Sequence, residues 1–104
     1  MTAARPETEQ PGREDVDRRI AQIRVQMDDL DARLVSLLNQ RAACAREIGT
    51  LKGTVGLDVY QPEREIEVLE HVRSKNLGPL GADAITRLFE RIIDETRRLE
   101  HSVD

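Results

Sequence analysis

Arg41 is the one charge in a row of apolar residues. Val16, Ile20, Ile23, Met27, Leu30, Leu34, Leu37, Arg41, Cys44, Ile48 and Leu51 follow one another at alternating steps of four and three, and ten of the eleven are apolar. An unpaired guanidinium buried in such a seam costs several kcal/mol, so Arg41 must meet an anion, either a protein carboxylate or one belonging to a ligand. Lys52 lies eleven residues further on, about 16 Å along the same helical face. Two long cationic side chains leaning toward each other suit a small dianion. Gly49, between them, costs about 1 kcal/mol relative to alanine inside a helix. It marks a close approach, either of a ligand or of a neighbouring helix. Arg64 and Glu65 open a second helical segment, and Thr96 and Glu100 stand one turn apart at the polar end of a third.

The elements that must position these residues are three helices. Residues 1–14 read as a disordered tail holding Pro6, Pro11 and Gly12, after which Asp15 is placed to cap a first helix. The seam carries that helix to Leu51, where Gly53 and Gly56 end it. A helix of about 37 residues is about 55 Å long, whereas a compact chain of 100 residues has a radius of gyration of about 13 Å. One chain cannot cover such a rod, and dimerisation is the natural way to bury it. Pro62 suits the first turn of a second helix, with Glu63 and Glu65 near the positive end of its dipole. Ile66, Leu69 and Val72 form its narrow stripe, and Asn76, Gly78, Pro79 and Gly81 break it. The third helix, from about Ala82 to His101, is amphipathic through Ile85, Leu88, Phe89, Ile92, Ile93, Thr96 and Leu99. The fold class is all-α, with 15–104 as one helical domain.

Composition narrows the function. The chain has 104 residues, a formal net charge of −4, 35% charged residues, and Phe89 and Tyr60 as its only aromatics. Its basic residues are interspersed with acidic ones, which argues against a nucleic-acid surface. No stretch is long or apolar enough for a membrane span or a secretory signal, so the expected location is cytoplasmic. Cys44, the only cysteine, falls on the seam and reads as a buried structural thiol. His71 and His101 read as solvated, and no metal-ligand spacing is present.

Taken together, Ile23 to Lys52 with Arg24, Asp31, Arg41, Gly49 and Lys52, then Arg64-Glu65, then Ile85-Thr86-Arg87-Leu88-Phe89 with Thr96 and Glu100, resemble the all-helical AroQ-type chorismate mutases. The resemblance covers about residues 16 to 101. It implies a three-helix protomer, an intertwined homodimer with two active sites, and the rearrangement of chorismate to prephenate in aromatic amino-acid biosynthesis, with no cofactor and no metal. Carried over by position, Arg41 and Arg64 resemble arginines that face substrate carboxylates, and Arg24 one donated by the other protomer. Arg24 and Arg41 are about 25 Å apart along one helix, too far to hold one small ligand from the same chain. Lys52 matches a lysine on the substrate's ether oxygen and Glu65 an acid near its hydroxyl. Thr96 matches a small hydroxyl residue on the third helix, and Glu100 a second ether-oxygen contact. Two positions depart from the pattern. Gln61 stands where some members carry aspartate near the hydroxyl, although a backbone N–H can serve there. Glu100 stands where others carry glutamine, and a glutamate donates a hydrogen bond only when protonated.

An isochorismate-pyruvate lyase on the same scaffold would use much the same cationic pocket. A non-catalytic helical dimer, or a regulatory partner of another shikimate-pathway enzyme, would instead pair Arg41 with a protein carboxylate. No additional domain of a bifunctional mutase is expected in this chain, and no feedback control by an aromatic amino acid.

Overall fold

A computed structural model describes residues 12–101. Within them α1 spans Arg13–Val55, α2 spans Pro62–Lys75 and α3 spans Ala82–His101. Residues 1–11 of the expected tail lie outside the described residues. The chain divides into two compact units between Ser36 and Leu37, and α1 runs through both.

In the N-terminal unit, α1 begins three residues earlier than a cap at Asp15 would set it. The Val16 N–H donates to the Gly12 carbonyl at 3.0 Å, so Gly12 takes the cap position. Asp15 falls in the first turn beside Glu14, where a negative charge complements the helix dipole. Its carboxylate accepts from Arg18 at 2.9 Å rather than capping the helix. Further pairs one turn apart, Arg13–Asp17 and Arg33–Asp29, lie on the outer face. Each of these exposed pairs adds only about 0.3–0.5 kcal/mol. Val16, Ile20, Ile23, Met27, Leu30 and Leu34 stand exposed along this part of the helix.

In the C-terminal unit, α1 extends past Leu51 and Gly53 to Val55. Gly56 ends it at φ +72°, a conformation that only glycine adopts cheaply. The Leu57 N–H returns to the Lys52 carbonyl at 2.9 Å, the six-to-one bond of a Schellman motif. Pro62 opens α2 with Glu63 and Glu65 in its first turn, and α3 has the bounds read from the sequence.

The buried apolar residues Ala45, Val68 and Ile93 come one from each helix, with Thr96 buried beside them. The packed stripe of α1 is therefore not the seam but Ala42, Ala45, Gly49 and Lys52, offset from it by one position and made mostly of small residues. Small side chains let α3 approach. A Cβ on Gly49 would sit 2.9 Å from both Cα and O of Glu100, so the glycine serves helix packing. Cys44, expected to be buried, is exposed because it belongs to the seam and not to this stripe. His71 is exposed as expected. Among the described residues, no helix is long and apolar enough to cross a membrane.

Candidate functional site

The three helices of the C-terminal unit border an open-sided cavity of about 300 Å³. Arg41, Cys44, Ala45, Ile48 and Lys52 line it from α1; Arg64, Glu65 and Val68 from α2; Ile93, Thr96, Arg97 and Glu100 from α3; Val59 and Gln61 from the loop between α1 and α2. Seven of the eight residues singled out for substrate contact are thereby brought together. The eighth, Arg24, lies exposed on the N-terminal part of α1 and is not among the lining residues.

Arg41 is half-buried, and its Nη1 donates to Thr96 Oγ1 at 3.1 Å. Thr96 in turn bonds the Ile92 and Ile93 carbonyls of its own helix, at 2.9 and 3.1 Å, which fixes its rotamer. Among the described residues Arg41 makes no ion pair with a carboxylate. Burial lowers its pKa below that of an ordinary guanidinium, and the Arg64 charge lowers it further, while Glu100 and Cys44 act in the opposite direction. The cation is thus held at an electrostatic cost that an incoming anion offsets.

Lys52 sits at the opposite end of the cavity wall. Its Nζ lies 3.2 Å from Gln61 Oε1, 3.5 Å from the Val59 carbonyl and 3.9 Å from Glu100 Oε2. The Lys52 and Glu100 side chains are only 15% and 17% exposed, so their interaction is screened less than a surface pair. Gln61 occupies the N-cap position of α2 without a side-chain capping bond, because its side chain is turned to Lys52. Arg64 reaches Glu67 at 3.5 Å on the open side of α2. Glu65 turns inward and pairs with Arg97.

Arg97 is the one charged lining residue that the sequence reading missed. It follows Ile93 by four and precedes Glu100 by three, so it is a charge on the inner face of α3 as Arg41 is a charge in the seam of α1. The test that singled out Arg41, a charge at a stripe position, would have found it.

The cavity gathers four cationic side chains, Arg41, Lys52, Arg64 and Arg97, and two carboxylates, Glu65 and Glu100. Both carboxylates are matched internally, by Arg97 and Lys52. Arg64 holds Glu67, outside the cavity, and Arg41 is the lining cation left without a carboxylate among the described residues. Fold and site together define an all-helical protein whose small cavity is lined by more cations than carboxylates. Residues 23–101 match the family model described as chorismate mutase type II, and the chain belongs to that family.

Over 74 residues the chain is 43% identical to the bifunctional chorismate mutase/prephenate dehydratase of Neisseria gonorrhoeae, a match covering 71% of this chain and 20% of that one. It is 22% identical over 90 residues to the chorismate mutase of Methanocaldococcus jannaschii, covering 79% and 84%. The structure of chorismate mutase (Form II) from Thermus thermophilus superposes with a TM-score of 0.80 at 34% identity, covering 83% of this chain and 98% of that one. The chain spans about a fifth of the length of the bifunctional relatives it matches.

Proposed function

We propose that the chain is a chorismate mutase, rearranging chorismate to prephenate in aromatic amino-acid biosynthesis. The observation that carries this reading is the pairing in the cavity: each carboxylate has its own cation, and Arg41, half-buried, has only a neutral hydroxyl. A scaffold would be expected to pair Arg41 with a carboxylate of its own.

In the reaction one ether C–O bond breaks and one C–C bond forms within a single molecule, so no nucleophile and no external proton enter. Catalysis then consists of holding a flexible dianion in its folded conformer and stabilising negative charge on the ether oxygen. Arg41 and Arg64 take the two carboxylates through forked hydrogen bonds. Lys52 faces the ether oxygen together with Glu100, which donates there when protonated. Glu65 accepts from the substrate hydroxyl. Because Lys52 can only donate, the oxygen of Gln61 faces it, leaving the Gln61 amide N–H for the same hydroxyl. Thr96 holds Arg41 in register.

The row of exposed apolar residues on α1 supports an intertwined homodimer, since a row of that kind needs a covering surface. In it Arg24 of the second protomer completes each site. The protein is placed in the cytoplasm on this reading, with chorismate as its small-molecule partner and no nucleic acid or membrane.

The direct test is incubation of the purified protein with chorismate, followed by loss of chorismate absorbance and identification of the product. Prephenate supports the reading. Pyruvate release from isochorismate, with chorismate untouched, points to the lyase, and inertness toward both sinks the catalytic reading.

Glu100 gives a test with a sign. Once ionised it neutralises Lys52, 3.9 Å away, and repels the charge developing on the ether oxygen. Glu100→Gln should therefore raise kcat for chorismate, because the amide carries no charge and supplies a permanent donor to the ether oxygen. A kcat unaltered by the substitution would place Glu100 outside the reaction.

A further inference from the structure

Arg97 joins three segments through one side chain. Its Nη2 donates to Oε1 of Glu65 on α2, and its guanidinium lies 5.3 Å from the centroid of the Tyr60 ring in the α1–α2 loop. Arginine suits both contacts at once, because its planar fork donates along the edge while its face stacks on an aromatic ring. Glu65 and Arg97 are each 30% exposed, so their pair is shielded from solvent more than the pairs on the outer face of α1. Only Oε1 of Glu65 is engaged by Arg97, which leaves Oε2 as an acceptor for a ligand.

We propose that Arg97 is a positioning residue for the reaction: it holds the Glu65 carboxylate against α3 so that Oε2 meets the substrate hydroxyl, and it ties the Tyr60 loop to the same frame. The inference rests on the chorismate reading, and it assigns Arg97 no contact of its own with the reacting atoms. A contact to the hydroxyl is made in the ground state and the transition state alike, so its loss appears mainly in KM.

The test is a double-mutant cycle in kcat/KM for chorismate, with wild type, Arg97→Leu, Glu65→Gln and the double variant, and melting curves run alongside. Arg97→Leu should cost roughly tenfold or more in the wild-type background, carried mostly by KM, and less than about twofold in the Glu65→Gln background. Arg97→Lys should recover part of the loss, since an ammonium keeps a cation beside Glu65 and Tyr60. If Arg97→Leu does not fold, Arg97→Lys in the two backgrounds reads the same coupling. An equal cost in both backgrounds, or no cost in either, overturns the proposal while leaving the mutase reading intact. A wild-type protein inactive on chorismate overturns both.

Discussion

Arg41→Ala should lower kcat/KM for chorismate by at least about a hundredfold, because it removes a charge-assisted contact to a substrate carboxylate. The melting temperature should hardly change. Three features set the asymmetry. Burial and Arg64 both disfavour the Arg41 cation in the free protein, so its removal relieves an electrostatic cost. Thr96, its hydrogen-bond partner, keeps two carbonyl partners on α3. Alanine also has the higher helix propensity. Kinetics beside thermal melts check this, and an activity loss that merely follows unfolding would make Arg41 a structural residue. The same variant probes the shared site. Arg24→Ala and Arg41→Ala chains, each inactive alone, should regain part of their activity after mixing and subunit exchange, because one hybrid site then holds both intact arginines. A fully active monomer in sedimentation would end the shared-site account.

Gly49→Ala should reduce stability and activity together. Alanine adds about 1 kcal/mol of helix propensity over glycine, yet its Cβ would stand 2.9 Å from backbone atoms of Glu100. Backbone cannot rotate aside as a side chain can, so the upper part of the overpacking range, about 3 kcal/mol, applies. The net loss is about 2 kcal/mol, a fall in Tm of roughly 10 °C. Parting α1 from α3 at this point also moves Glu100 away from Lys52, so kcat should drop even well below the melting temperature. A Gly49→Ala protein as stable and as active as its parent would show that the two helices separate freely there.

The limits of α2 and α3 were legible because local chemistry sets them: Pro62 starts one helix, and Gly81 precedes the other. The seam announced the long helix for the same reason, since steps of four and three are a property of one segment. Six of the lining residues could be named because they fall on helical faces at recognisable spacings, and Gln61, in the loop, only because its position resembles one in the family. What remained hidden depends on how helices rotate against each other. Nothing local to Ala42, Ala45 and Gly49 says that this stripe, rather than the adjacent seam, meets α3. The same one-position offset exposes Cys44. The Glu65–Arg97 pair spans 32 positions, and no spacing rule reaches that far.

The two connections of the C-terminal unit differ in what a change of length would do. Val59 and Gln61 are held by the Lys52 ammonium and Tyr60 by Arg97, so the first connection is a wall of the cavity. The second closes on itself: Asn76 donates to the Leu80 carbonyl at 2.7 Å and accepts from the Gly78 N–H at 3.1 Å. Leu77 within it is 98% exposed, and residues 76–81 take no part in lining the cavity. A peptide grafted beside Leu77 forfeits little more than those exposed bonds and a loop-closure entropy that grows by only about 0.6 kcal/mol per doubling of length. The same graft beside Val59 detaches the carbonyl that steadies Lys52. For protein engineering, the first loop is a part of the machine and the second is a handle.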